Sequence, residues 1–282
     1  MAPSPVPGDV GGLVVTYEPN LDLLEQVLGA VRIQVTRLIV VDNGSSNLAS
    51  IRDISERVGA SLVANPSNLG LAAALNIGSS KLCQGDAVDW VLIVDQDTIP
   101  PAGYAGRLLT LLRENDLDDP RVWVVRGVEG APSRTATHGK RFRYIRAAIM
   151  SGSLVRVEAL RVTRFREEFF VDLVDSDFYY QVAEQGHKVV RFESVIAPHT
   201  VGTVIDLKDR PTSYESSRRT YYIARNGCIL VLEGRFDAKL PWVIVSSVLP
   251  VAYVEGFRTA LRSLLGGLRD GFVRRTRSSH DG

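Results

Sequence analysis

Residues 10–115 alternate between apolar, β-branched runs and helix-forming runs, and this alternation constrains the fold more than any other feature. Four runs are strand-like: VGGLVVTY (10–17), RLIVVDNGSS (37–46), SLVANPS (61–67) and VDWVLIVDQD (88–97). Helices are predicted after them, over 21–31, 49–59, 69–82 and 102–115. The strand-like runs lack strict apolar–polar alternation, so both faces of the sheet should be covered. The pattern predicts an α/β fold with a mostly parallel central sheet flanked by helices.

The second half of the chain is less regular. Strands are predicted over 122–128 and on both sides of a Ser-Gly-Ser turn within 141–157. A helix is predicted within 167–186, followed by a strand and a loop over 187–202. From about residue 206 onward the pattern is mostly helical, which predicts a C-terminal helical extension.

Composition excludes several classes of protein. Apolar residues make up 45% of the chain and the net charge is +1, so there is no global attraction to nucleic acid. Cys83 and Cys228 lie in no metal or redox motif, which indicates reduced thiols and a cytoplasmic protein. The opening MAPSPVPGDV has the pattern of a disordered tail (1–8) and not of a signal peptide. The chain has no uninterrupted run of about 18 apolar residues, so no transmembrane helix is predicted.

Polar residues follow three of the predicted strands, at the point where each strand ends. Thr16 and Tyr17 follow the first, Asp42 the second, and Asp95 and Asp97 the fourth. Ligands of parallel α/β sheets bind at the carboxyl ends of the strands. These residues are therefore candidates for a common binding site.

Asp95 and Asp97 flank Gln96 at the end of an apolar strand. In extended backbone both side chains would lie on the same side, because side chains alternate with a period of two. Two neighbouring carboxylates repel each other, and a hard divalent cation such as Mg²⁺ or Mn²⁺ removes that cost. The alternative is a purely structural role, in which both aspartates are helix caps or solvated loop residues.

Other polar residues have both a functional and a structural interpretation. Asp42 could accept a hydrogen bond from a ligand or cap an Asx turn. His199, in APHTVG, could be a ligand or a structural histidine. One of the acidic residues in VDLVDSDF could cap the helix that follows, and another could act as a general base; these are Asp172, Asp175 and Asp177.

Three arginines in RRTYYIARNG lie at helical spacing: Arg218, Arg219 and Arg225. They could clamp a diphosphate, since the guanidinium fork matches phosphate oxygens, or they could form a salt-bridged helix face.

Read together and in order, these segments resemble the GT-A glycosyltransferases of family 2, and most closely the rhamnosyltransferase branch. The similarity covers about 10–230 and rests on these motifs: VVTYEPN, IVVDNGSSN, NLGLAAALNIG, WVLIVDQDT, SGSLVRV, FFVDLVDSDFYYQVAEQGHKV, APHTVG and YYIARN. The Asp-Gln-Asp form is typical of the rhamnosyl branch. The resemblance implies a GT-A catalytic domain over 9–205, with a nucleotide-binding half (about 9–100) and an acceptor half (about 101–205), before a helical region over 206–282.

The resemblance also implies an inverting, metal-dependent transfer from a nucleotide-sugar donor. Asp97, with Asp95 and His199, would hold Mg²⁺ or Mn²⁺. Asp175 matches the general base and Asp177 an acceptor-orienting carboxylate. The common family pair Glu-Asp is Val174-Asp175 here, so Asp172 or Asp177 stays an alternative base. Donor-binding residues would be Thr16, Tyr17, Asp42, Asn68, Gly70, Asp95, Gln96 and Arg225.

The implied donor is dTDP-L-rhamnose, with UDP-galactofuranose as the nearest competitor. The acceptor would be a saccharide or a polyprenyl-diphosphate-linked saccharide in cell-surface polysaccharide synthesis. A degenerate nucleotide-sugar-binding module is the non-enzyme alternative. A nucleotidyltransferase is disfavoured because no Gly-rich, basic phosphate loop follows the first strand. A dinucleotide-dependent dehydrogenase is excluded because TYEPN replaces the glycine fingerprint.

The C-terminal region combines apolar residues with arginines. Leu261, Leu264, Leu265, Leu268 and Phe272 have helical spacing, with Arg262 and Arg269 displaced from them. The helix could pack on its own domain or on a second subunit, making a homo-oligomer. Alternatively it could rest on the anionic inner face of the plasma membrane.

Overall fold

The structure, a computed structural model, describes residues 9–85, 88–129, 142–197, 204–206, 211–214, 216–235 and 240–278. Its strands are β1 (Val10–Thr16), β2 (Arg37–Asp42), β3 (Ser61–Ala64), β4 (Trp90–Asp95), β5 (Val122–Glu129), β6 (Phe142–Ile145), β7 (Ser153–Arg156), β8 (Lys188–Ala197), β9 (Val204–Asp206) and β10 (Pro211–Ser213). Its helices are α1 (Leu21–Arg32), α2 (Leu48–Arg57), α3 (Leu71–Leu82), α4 (Tyr104–Glu114), α5 (Val157–Val162), α6 (Val174–Glu184), α7 (Ser217–Leu232), α8 (Leu240–Val254) and α9 (Phe257–Ser278).

Eight strands form one sheet in the order β3-β2-β1-β4-β7-β5-β8-β6. The pairs β3–β2, β2–β1, β1–β4 and β5–β8 are parallel, whereas β4–β7, β7–β5 and β8–β6 are antiparallel. The prediction of a mostly parallel α/β sheet flanked by helices, followed by a helical C-terminal region, is confirmed.

The β1–β4 half of the sheet follows from the apolar runs in the sequence. In β4 the five residues before Asp95 are all buried, because helices cover both faces of a parallel sheet. Helix α1 begins at an Asn20 cap, whose side chain accepts a hydrogen bond from the Leu23 amide (3.0 Å). Its apolar stripe of Leu24, Val27, Leu28 and Val31 is buried in the core.

Two details of the predicted elements are wrong. The third and fourth strands end at Ala64 and Asp95, earlier than the predicted ends at residues 67 and 97, and the residues that follow lie in bends and turns. In addition, β10, which pairs antiparallel with β9, lies where helix was expected. Pro211 begins β10, and proline is compatible with a strand start but not with a helix interior.

The chain divides into two compact units. The first comprises Met1–Glu167 and Phe178–Thr200, and the second comprises Glu168–Asp177 and Val201–Gly282. The predicted functional division at residue 205 remains a prediction; the compact units differ from it in grouping residues 168–177 with the C-terminal helices.

Helices α7, α8 and α9 pack against one another in the second unit. Gly267 and Gly271 of α9 are buried where α9 meets the backbone of α7. A Cβ added at Gly271 would lie 2.6 Å from the Arg225 carbonyl oxygen, so the close approach of the two helices requires glycine. No helix in the described part of the chain is both long enough and apolar enough to cross a membrane.

We predict different effects on stability for alanine at two adjacent glycines of α9. A Cβ at Gly267 would lie 2.9 Å from the Ala224 Cβ and 3.0 Å from the Arg225 amide nitrogen, so Gly267→Ala should lower the free energy of unfolding by about 1–3 kcal/mol. A Cβ at Gly266 would meet only the Tyr221 ring, at 3.7 Å, so Gly266→Ala should be neutral or stabilise by up to about 1 kcal/mol through helix propensity. Chemical denaturation measures both, and equal effects would contradict this packing.

Candidate functional site

Three neighbouring strands end together at one edge of the sheet in the first unit. Thr16, the last residue of β1, is opposite Asp42 of β2, and Val15 is opposite Asp95 of β4. The strand order runs in opposite directions on the two sides of β1, since β2 and β3 lie to one side and β4 to the other. This edge is therefore a topological switch point, where ligands of open α/β sheets bind.

Asp42 is fully buried and its carboxylate accepts four hydrogen bonds. Oδ1 accepts from Thr16 Oγ1 (3.1 Å) and Ser45 Oγ (2.5 Å), and Oδ2 accepts from the amides of Gly44 (3.1 Å) and Ser45 (3.0 Å). The carboxylate therefore fixes the turn after β2, as the Asx-turn interpretation expected. The predicted contact of Asp42 with a donor remains a prediction. The contact with Ser45 was not expected from the sequence, although a serine three residues after an aspartate is typical of such turns.

Asparagine side chains hold the next loop against this turn. Asn43 Nδ2 donates to Asn68 Oδ1 (2.9 Å), and Asn43 Oδ1 accepts from Asn65 Nδ2 (3.0 Å). Asn68 Oδ1 also accepts from the amide of Gly70, the residue that precedes α3 (2.9 Å). Asn68 and Gly70, both predicted to bind the donor, thus lie in a hydrogen-bonded loop beside the end of β2.

Gln96 joins the ends of β1 and β4 through its side-chain amide. Its Oε1 accepts from the Tyr17 amide (2.8 Å) and its Nε2 donates to the Tyr17 carbonyl (3.2 Å). This two-way contact fixes the turn that carries Asp95 and Asp97 relative to β1. The side chain of Tyr17 is exposed at the same edge.

Asp95 ends β4, and Gln96 and Asp97 lie in the turn that follows. The side-chain alternation used to place both carboxylates on one side therefore applies to Asp95 and not to Asp97. The Asp95 amide donates to Ser151 Oγ (2.9 Å), and both carboxylates are half-buried.

Asp95 and Asp97 carry the type of ligand that Mg²⁺ or Mn²⁺ prefers. Hard cations take carboxylate oxygens and keep several sites for water and substrate phosphates. In the described residues no group of three or more His, Cys, Asp or Glu side chains that could hold a metal occurs, and the metal site at Asp95 and Asp97 stays a prediction. His199, the third predicted ligand, lies outside the described residues.

In the second unit, the turn before α6 has an unusual backbone. Asp172 and Leu173 both have positive φ, at 62° and 58°. Left-handed backbone costs a residue other than glycine roughly 1–2 kcal/mol, and this cost is smallest for Asp and Asn. Two consecutive residues in this region therefore need support from their surroundings.

That support comes from α7. Asn226 is fully buried, and its Nδ2 donates to the carbonyls of Val171 (2.9 Å) and Asp172 (2.8 Å). Arg219 forms a two-pronged ion pair with the Asp172 carboxylate, with the shortest contact at 2.5 Å. Burial raises the pKa of Asp172, while the ion pair with Arg219 acts in the opposite direction. Asp172 was expected from the sequence to be an alternative base, and the role of Asn226 was not expected.

The two residues predicted to be catalytic have different surroundings at the start of α6. Asp175 is half-buried in the first turn, and its Oδ1 accepts from the Ser176 amide (2.8 Å). Asp177 is fully buried and pairs with Arg235 (2.6 Å). A buried ion pair accounts for Asp177 structurally, so Asp175 is the more accessible carboxylate of the two.

The arginines of α7 also differ from one another. Arg225 is buried, and its guanidinium donates to the Glu168 carbonyl (3.0 Å) and to Asn226 Oδ1 (2.7 Å). Arg218 is exposed, with its guanidinium carbon 5.1 Å from the centre of the Phe170 ring. In this arrangement Arg219 and Arg225 brace the chain around residues 168–172, although the Arg219 side chain is still 42% exposed. The charge of Arg218 faces solvent beside the Phe170 ring.

Comparison with known proteins decides the family. The model of "Glycosyl transferase family 2" matches residues 13–170, which is more than half of the chain. The chain belongs to glycosyl transferase family 2. The match includes the ends of β1, β2 and β4 and stops before α6, so the family model does not extend to Asp175. No curated protein matches the sequence.

We predict that this glycosyltransferase depends on Asn226 for the turn before α6. Asn226→Asp keeps the shape but replaces two donated hydrogen bonds with a carboxylate facing two carbonyl oxygens, which should lower the free energy of unfolding by about 2–4 kcal/mol. The matched control is Asn115→Asp, because Asn115 is half-buried and donates to one carbonyl, that of Leu111 (2.8 Å). It should cost less than about 1 kcal/mol. Equal losses in a denaturant titration would contradict the assigned support.

Proposed function

We propose that the protein is an inverting glycosyltransferase that moves L-rhamnose from dTDP-L-rhamnose to a saccharide or polyprenyl-diphosphate-linked acceptor. The step would belong to cell-surface polysaccharide synthesis on the cytoplasmic side of the membrane. One observation carries the proposal: a family 2 domain brings the Thr16–Asp42 pair and the Asp95-Gln96-Asp97 turn to the switch-point edge of its sheet. Asp-Gln-Asp supports rhamnose over other sugars, through its resemblance to the rhamnosyl branch.

On this proposal the first unit binds the donor. Thr16 and the turn shaped by Asp42 would hold the pyrimidine nucleoside, with Tyr17, Asn68 and Gly70 at the same edge. Asp97 and Asp95 would hold Mg²⁺ or Mn²⁺, with His199 as a third predicted ligand. The metal would supply positive charge against the negative charge that grows on the leaving diphosphate.

The chemistry is a direct displacement at the anomeric carbon. The acceptor oxygen forms a bond to that carbon while the bond from carbon to the diphosphate oxygen breaks, which inverts the configuration. Asp175 takes the proton of the acceptor hydroxyl as the new bond forms. A half-buried carboxylate in the first turn of a helix suits this role, because it is accessible and held in place by the Ser176 amide.

Two of the other predicted roles are less well supported by the contacts in the structure. Asp177 would lose its buried ion pair with Arg235 if it served the acceptor. Arg225 would have to leave the Glu168 carbonyl to reach a diphosphate. Of the α7 arginines, we therefore propose Arg218 as the diphosphate contact, since its guanidinium is exposed and is steadied by the Phe170 ring.

UDP-galactofuranose is the competing donor, because galactofuranosyltransferases resemble this chain in the Asp-x-Asp segment at residues 95–97. A degenerate binding module is the competing non-enzyme function. The half-buried Asp175 favours an enzyme, since binding alone requires no accessible base.

Calorimetry with dTDP-L-rhamnose, UDP-galactofuranose and UDP-glucose, each with and without Mn²⁺, tests the proposal. We predict metal-dependent binding of dTDP-L-rhamnose in preference to both UDP-sugars. Asp97→Ala should weaken that binding by at least about 100-fold, because even residues outside the metal's ligand set cost roughly 10–100-fold. The matched control is Asp53→Ala, which removes an exposed carboxylate from α2 and should bind like wild type.

The other outcomes are equally informative. Preference for UDP-galactofuranose would overturn the donor and keep the metal site. If the wild-type protein binds the donor but neither transfers nor hydrolyses its sugar, that result would favour the binding module. Metal-independent binding that Asp97→Ala leaves unchanged would contradict the Asp-Gln-Asp assignment.

A further inference from the structure

Helix α8 carries its apolar residues on the outside. Trp242, Val245, Leu249 and Tyr253 are all exposed, and in a regular helix they fall within an arc of about 80°. The helix contains no charged residue, and its inward face is also apolar, with Leu240 and Val251 buried. A helix of a water-soluble unit ordinarily has a polar outer face, so this outer face indicates a partner.

Helix α9 has a second exposed apolar stripe, beside the face with which it packs. Ala260, Gly267 and Gly271 are buried, and the two glycines meet α7. The stripe comprises Phe257, Leu261, Leu265 and Phe272. We call these four residues and the exposed α8 residues above, taken together, the C-terminal apolar face. Tyr253 and Phe257, which are 62% and 70% exposed, stand on either side of the short α8–α9 connection.

Arginines border the stripe on α9. At about 100° per residue, Arg258, Arg262 and Arg269 project next to Leu265 and away from the buried glycines. All three are exposed. Arg269 pairs with Asp270, whereas Arg258 and Arg262 form no ion pair with any described residue. Helix α9 thus combines an apolar stripe with a row of solvent-facing positive charge on one flank.

We propose that the C-terminal apolar face docks on a lipid bilayer that carries anionic headgroups. An amphipathic helix binds such a surface by burying apolar side chains at the headgroup boundary, while flanking arginines attract the anionic lipids. Trp242 near the start of α8 and Tyr253 near its end have the amphipathic rings that prefer this boundary. The inference uses the second unit alone and does not depend on the donor or the reaction.

A second copy of the chain would fit this face less well. In a two-fold interface the same patch meets itself, and where the two copies of α9 run antiparallel the arginines bordering the stripe of one copy would face those of the other. Like charges brought together at an interface oppose association. Anionic headgroups satisfy the apolar stripe and the arginines together, which is why lipid is the assigned occupant.

The tryptophans provide a direct readout in the full-length protein. Of the three in the chain, Trp90 and Trp123 are 4% and 8% exposed, whereas Trp242 is 71% exposed. Vesicles of phosphatidylcholine mixed with phosphatidylglycerol should shift the emission to shorter wavelength, and vesicles of phosphatidylcholine alone should do so much less. Trp242→Phe should remove the shift while co-sedimentation with the vesicles persists.

Charge and polarity variants then test the face itself. Leu249→Glu should lower the partition coefficient by at least roughly ten-fold, whereas Ile33→Glu, at a similarly exposed site in the first unit (66% against 61%), should not. Arg258→Glu with Arg262→Glu should lower binding to the anionic vesicles by at least roughly ten-fold, and Arg37→Glu with Arg52→Glu should not.

Three results would overturn the proposal. The first is absence of vesicle binding by a wild-type protein whose circular dichroism shows it folded. The second is binding that Leu249→Glu and Ile33→Glu weaken equally. The third is a concentration-dependent dimer that Leu249→Glu dissociates, which would assign the face to a second copy of the chain. Melting curves of each variant separate lost binding from lost folding.

Discussion

The register of β1 between β2 and β4 is the constraint on which the candidate site depends. It places Thr16 opposite Asp42 and Val15 opposite Asp95, so that three strand ends deliver polar groups to one edge. A slip of one residue would turn every side chain of a strand to the other face of the sheet. In β1 such a slip would also bring side chains to the positions of Gly11 and Gly12, where an added Cβ would lie 2.9 Å from Leu82 and Val31, respectively. Asp42 can then be buried as well, since four hydrogen bonds satisfy its carboxylate.

The second unit solves a different problem, which is how to hold an unfavourable turn at the start of α6. Asp172 and Leu173 adopt left-handed backbone, and Asn226 and Arg219 of α7 supply hydrogen bonds and an ion pair to the same short segment. The first turn of α6, with Asp175, follows directly. In the proposed mechanism Asp175 would accept a proton and would have to be held in a defined position, and the strain of the turn before it is compensated by α7, which braces that turn.

Sequence reasoning succeeded where the signal is local. Apolar runs of four to eight residues predicted the strands, and residues at the strand ends predicted the edge where polar groups gather. Contacts between residues far apart in the sequence cannot be predicted in this way. The Gln96–Tyr17 contact joins residues 79 apart, and the Asn226 contact with Val171 joins residues 55 apart; no spacing in the chain encodes either. Helical spacing likewise grouped Arg218, Arg219 and Arg225, although the packing of each one gives it a different partner.

The central claim is that the ends of β1, β2 and β4 form the donor site, and hydrogen–deuterium exchange tests it most directly. Full-length protein would be compared with and without saturating dTDP-L-rhamnose and Mn²⁺. The account predicts that amides in 16–18, 43–46 and 96–98 exchange more slowly with the donor, while those of α9 do not change. Slower exchange elsewhere in the chain, with these three turns unaffected by bound donor, would contradict the account.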